Sequence, residues 1–122
     1  MSTQSGVLLR ARISPGTPPL ESSDTDPAEL IAAAHAGSFS LALANELRSA
    51  GSASDHIITT ATVTLEHLKA GWTIMNIHLD VSAKLLKVSQ GRFIDATVRA
   101  KTCCLVSRLL RTNISMNARL EK

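Results

Sequence analysis

The chain has 122 residues, one domain's length, with 44% hydrophobic residues and a formal net charge of +3. It is too apolar for a disordered tail, and its two adjacent cysteines (Cys103, Cys104) and four scattered histidines exclude a disulfide-stapled secreted scaffold and a zinc ribbon. With one Trp and two Phe, the core must come from Leu and Ala, sixteen of each, with Ile and Val; a domain this size buries only about two-thirds of its unfolded surface, so an oligomer interface would add burial.

Residues 5–13 (SGVLLRARI) read as a short strand, and 14–26 as a Pro/Ser/Gly loop. A helix then starts with clear punctuation: Asp26 as N-cap, Pro27 in the first turn and Glu29 three residues after the cap. It runs to about Ala50, with Gly51 as its stop. From Leu30 to Ala44 it is apolar nearly all round, the pattern of a helix buried on most sides.

A strand follows over 57–68, with Ile57, Ala61, Val63 and Leu65 on one face and Ile58, Thr60, Thr62, Thr64 and Glu66 on the other. Lys69-Ala70-Gly71 makes a hairpin turn into a strand over 72–85, in which Thr73, Met75, Ile77, Leu79, Val81 and Ala83 share one side. A second helix spans about Ser89 to Cys104, with Phe93, Thr97, Ala100 and Cys104 on one stripe, and residues 105–110 add a helical turn. The last strand points Ile114, Met116, Ala118 and Leu120 inward. The order β–α–β–β–α–β, with no linker or repeat, reads as one α+β domain over 1–122.

The first residues show no basic segment followed by an apolar run, so no signal peptide is expected, and the 30–44 stretch is too short and polar to span a bilayer. The expected setting is the cytoplasm, with reduced thiols. Residues 1–83 carry net −4 and residues 84–122 net +7, but no aromatics interleave with the basic residues to stack bases. The basic third is therefore read as solvated surface, with no nucleic-acid or membrane partner.

Two places hold reactive groups. In the greasy helix, His35, Ser38 and Ser40 are polar and need partners if buried. His35 and Ser38 share a face, but i,i+3 neighbours are poorly placed for proton abstraction and no nucleophile elbow is present; Ser38 is expected to bond back to a helix carbonyl. The second place is TCCLVSRLL, where Cys103 reads as packing, while Arg99, Lys101 and Arg108 could lower the pKa of Cys104. His56, His67 and His78 show no metal spacing, no cofactor motif is visible, and Trp72 reads as core or interface filler.

The run TDPAELIAAAHAGSFSLALANEL resembles the central helix of the osmotically inducible protein C and organic hydroperoxide resistance (OsmC/Ohr) family, which typically reads TNPEELIAAAHAACFSMAL. The segment AKTCCLVSRLL, Ala100 to Leu110, resembles the family's AKxxCPVSxxL, and the 66-residue spacing from Ser38 to Cys104 is close to that of the family's two cysteines. The resemblance covers about residues 3–121 and implies curved antiparallel sheets packed on a long buried helix, in an intertwined homodimer with interfacial sites. It implies reduction of organic hydroperoxides: an attacking cysteine becomes a sulfenic acid, a second cysteine condenses with it, an Arg and a Glu support the thiolate, and a dithiol reductant closes the cycle.

Carried over residue by residue, the attacking cysteine falls on Ser38 and the glutamate on Ala28, while Glu29 matches the motif's other acid. The supporting Arg would precede SGVL, so the domain reads as N-terminally shortened. Only the resolving cysteine matches, as Cys104, followed by Leu105 where the family has Pro. A serine hydroxyl ionises far above neutral pH and attacks O–O bonds poorly, so impaired or absent peroxidase activity is expected. The alternative is a non-catalytic dimer that binds a small apolar ligand in a pocket lined by Ile31, Ala34, Phe39 and Leu41.

Overall fold

A computed structural model describes residues 1–10, 12, 25–51, 54–85 and 88–121. The loop expected over 14–26 lies, apart from Thr25 and Asp26, outside these residues. The chain divides into two compact units, residues 1–31 and 32–122.

In the first unit, residues 5–10 form turns and bends instead of the expected strand. Hydroxyls capture the backbone that a ladder would need: Ser5 Oγ accepts from the Val7 amide at 3.3 Å, Thr3 Oγ1 from Leu8 at 3.2 Å and Ser2 Oγ from Arg10 at 2.9 Å. Helix α1 (Pro27–Ser49) starts in this unit as its punctuation predicts. Asp26 is buried, and its Oδ1 accepts the Glu29 amide at 2.9 Å.

The second unit carries the rest of α1, then β1 (Ser54–Leu68), β2 (Gly71–Leu85), α2 (Gln90–Cys103), α3 (Leu105–Leu109) and β3 (Asn113–Glu121). α1 ends before Gly51, whose φ of 82° suits glycine, with the Gly51 amide bonded to the Arg48 carbonyl at 3.0 Å. The helix buries a single stripe of Ala32, His35, Phe39, Leu43 and Leu47. The expectation of burial on most sides is not met within one chain: Leu41 is 75% exposed.

β1 and β2 pair antiparallel across the expected turn, where Gly71 takes φ 122°. The register passes from Thr64↔Asn76 to Leu65↔Ile74, so Met75 is an extra residue in β2. That bulge flips the side-chain alternation. Ile77, Leu79, Val81, Ala83 and Leu85 are buried as their period requires, but Met75, expected on their side, is exposed. Trp72, read as filler, is 54% exposed and sits against the His67 ring with centroids 5.1 Å apart.

β3 pairs with β2 in parallel, giving a three-stranded mixed sheet of order β1-β2-β3. The family resemblance leads one to expect antiparallel pairing, which holds for β1 and β2. The parallel pair needs a crossover, and α2 with α3 supplies it. Ser89 caps α2 by accepting the Arg92 amide at 3.2 Å, and Phe93, Ala96, Thr97 and Ala100 form the buried stripe. Cys104 is the single non-helical residue between α2 and α3, with φ −60° and ψ 123°.

Candidate functional site

All groups of the site lie in the second unit. α1 is tied to the other elements by side-chain bonds at several heights. Ser40 donates to Thr59 Oγ1 of β1 at 2.7 Å, and Arg99 Nε of α2 donates to Glu46 Oε2 at 3.0 Å. On the N-terminal side of these ties, α1 presents His35 and Ser38 toward the α2–α3 junction.

There the Cys104 thiol, buried in the junction, donates to Ser38 Oγ at 3.2 Å. The two positions expected to match the family's cysteine pair are thus in direct contact across 66 residues. The bond from Ser38 back to its own helix that the sequence context suggests is not among the described hydrogen bonds; the contact Ser38 makes is the one it accepts from Cys104. His35 is fully buried, and its Nε2 lies 2.7 Å from Ser107 Oγ of α3. It pairs with Ser107 and not with Ser38, so the arrangement of a serine hydrolase is not formed. His35 Nδ1 has no partner among the described residues. Placing the ring proton on Nε2 leaves Nδ1 a bare lone pair, avoids a buried unpaired N–H, and makes His35 a donor to Ser107.

Burial lowers the His35 pKa, so the ring is neutral at neutral pH. For Cys104, burial pushes the pKa up, but the Ser38 hydroxyl, the Ser107 amide and hydroxyl and the Val106 amide outweigh it, and the net shift is downward. No capping hydrogen bond closes on the sulfur, so the amides act by their nearness to the thiolate. The basic residues proposed from the sequence contribute nothing to this shift; Arg99 is engaged by Glu46. Ser107 was missed as a site residue. Its signal was available: a lone hydroxyl in an apolar turn, the same anomaly that singled out His35.

The Ser38–Cys104 pair opens on an apolar groove of about 510 Å³ whose walls include Ala34, Leu41, Leu105 and Val106. Of the residues expected to line a pocket, Ala34 and Leu41 do; Phe39 is fully buried on the core stripe of α1. Cys103 is exposed, and both thiols are free. Ala28 lies in the first turn of α1, in the other unit, and brings no carboxylate. Among the described residues, no cluster of potential metal ligands occurs and no helix is long and apolar enough to cross a membrane. His78 is engaged with Ser115 at 2.6 Å and Asp80 at 3.3 Å.

A small α+β protein with a long helix, a mixed sheet and a buried thiol facing position 38 is the class this geometry defines. The chain belongs to the OsmC-like protein family, whose sequence pattern matches residues 20–119. It is 36% identical to peroxiredoxin OsmC of Escherichia coli K12 over 121 residues, 99% of this chain and 85% of that protein. Its fold is similar to an OsmC-like protein of unknown function from Vibrio cholerae, with a TM-score of 0.82 at 15% identity over 97% of this chain and 81% of that one. It is also similar to an organic hydroperoxide resistance protein from Elizabethkingia anophelis, with a TM-score of 0.72 at 22% identity over 99% and 86%.

Proposed function

We propose that this chain is a stress-response protein of thiol-peroxidase ancestry in which two-cysteine reduction of organic hydroperoxides is lost or reduced to a trace. The ancestry rests on the relatives, a peroxiredoxin and hydroperoxide resistance proteins. The loss rests on one observation: the group facing Cys104 at 3.2 Å is the hydroxyl of Ser38. A two-cysteine cycle needs a thiolate to attack the peroxide oxygen and a second thiol to displace water from the resulting sulfenic acid. Ser38 can do neither, and Ala28 supplies no acid to orient a peroxide. The test is turnover of cumene hydroperoxide with dihydrolipoamide as the dithiol. Background-level consumption is the expected result; turnover like that of a two-cysteine relative refutes the reading.

A second reading has its own observation. Leu41, Leu105 and Leu109 are 75%, 69% and 75% exposed. Such apolar side chains favour coverage by a second copy of the chain, leaving the groove to hold a small apolar ligand. Light scattering coupled to size exclusion would report the dimer, and native mass spectrometry would report a co-purified lipid. A monomer with an empty groove removes this reading.

A further inference from the structure

We propose that Cys104, which lines the apolar groove against Ser38 and beside the Ser107–His35 pair, is a nucleophile in its own right, and that it takes small apolar α,β-unsaturated carbonyl compounds by conjugate addition. The inference does not rest on the peroxidase reading; it starts from groups that cycle leaves unused.

The cluster has a consistent direction. His35 Nε2–H donates to Ser107 Oγ at 2.7 Å, which leaves the Ser107 hydroxyl proton free to turn toward the sulfur. Ser38 Oγ is within 3.2 Å of the same sulfur and becomes a donor once the thiol ionises. Two hydroxyls therefore serve one thiolate, and the second is polarised by a buried imidazole. Hydroxyls that donate to sulfur favour its charged form, and the net downward shift of the Cys104 pKa agrees with this. A thiolate is the reactive form of cysteine, and it is a soft nucleophile suited to carbon–carbon double bonds conjugated to a carbonyl.

The reaction class follows from what surrounds the sulfur. An oxidative reaction at Cys104 would end as a sulfenic acid facing Ser38, with no thiol there to resolve it. Conjugate addition needs no reductant. The sulfur lone pair forms a C–S bond to the β-carbon, the C=C π pair moves toward the carbonyl, and the α-carbon takes one proton from water. The net change is addition of S–H across the double bond, with no change in the oxidation level of the pair. The walls of Ala34, Leu41, Leu105 and Val106 favour an aliphatic tail on the electrophile.

The test uses the unaltered chain with trans-2-nonenal and with trans-2-butenal, the same electrophile with a long and a short tail. Incubation near pH 6.5 lies about two units below the pKa of an ordinary thiol. Fragmentation of the tryptic peptide 102–108 then assigns the adduct to one cysteine. Expected are an adduct on Cys104 formed about ten-fold faster than on the exposed Cys103, and a faster reaction with the longer tail. Ser107→Ala should slow the Cys104 reaction several-fold and move its pH profile upward, and Ser107→Thr should restore both. An adduct confined to Cys103, equal rates at the two thiols, no preference for the longer tail, or a pH profile that ignores Ser107→Ala overturns the proposal. The comparison of the two thiols in the unaltered chain stands even if a variant does not fold.

Discussion

Replacing Ser38 with cysteine separates geometry from chemistry at this site. The Ser38 hydroxyl is 3.2 Å from the Cys104 sulfur, so Ser38→Cys brings two thiols together without moving the backbone. Diamide should then close a 38–104 disulfide. The bond would span 66 residues of chain. Loop-closure entropy for that length gives about 4 kcal/mol of stabilisation, between the values for 15- and 100-residue loops. With a urea m-value of roughly 1.5–2 kcal/mol/M, the oxidised variant should unfold about 2–3 M later than the reduced one. Peroxidase turnover should nevertheless stay low if, as the family resemblance implies, position 28 is where the supporting glutamate stands, since this chain has Ala28 there. Free thiols after diamide, or no difference between the oxidised and reduced midpoints, would refute the contact across the helix junction. Vigorous turnover of cumene hydroperoxide by the variant would refute the argument that position 28 matters.

Three further outcomes follow from burial and capping. His35 has a depressed pKa in the folded chain, so below about pH 6.5 the unfolded chain binds the extra proton first. Stability should therefore fall as pH drops through that range and toward the folded pKa, by at most about 1.4 kcal/mol per unit from this group; in urea titrations His35→Asn should flatten the slope. Phe39→Ala empties a fully buried position on α1 and should cost about 3–5 kcal/mol, read as a lower urea midpoint at constant m. Asp26→Ala removes the oxygen that holds the Glu29 amide at 2.9 Å and should cost about 1 kcal/mol; unchanged amide exchange at the start of α1 would contradict the cap.

The candidate site was partly legible. His35 and Ser38 stand out as polar groups in an apolar helix, and the resemblance of two segments to one family matches Ser38 and Cys104 to the positions of its two cysteines; that the two touch, where Ser38 was expected to bond back to its own helix, is the structure's finding. What was not legible was the arrangement of the other partners. His35 meets Ser107 across 72 residues, a pairing with no sequence spacing to announce it. The source of the Cys104 shift was likewise misassigned to nearby basic residues, because proximity in sequence says little about which group faces a buried sulfur.

The features that the sequence alone determined are those decided within a few residues. The Asp26 cap, the stop at Gly51, the turn at Gly71 and the two-residue period of β1 and β3 depend on backbone groups close by in the chain. Tertiary structure alone decided that β3 runs parallel to β2, that one extra residue at Met75 turns over the first residues of β2, and that a serine of α3 reaches a histidine of α1. Each of these trades local geometry against packing between distant segments. A strand's alternation is the same whichever direction its neighbour runs, and a hydroxyl's donor is chosen by what lies within 3 Å of it after folding. The two adjacent cysteines show the division most clearly. They are one atom type at consecutive positions, yet the single break in helix at Cys104 buries that thiol against Ser38 and leaves Cys103 exposed.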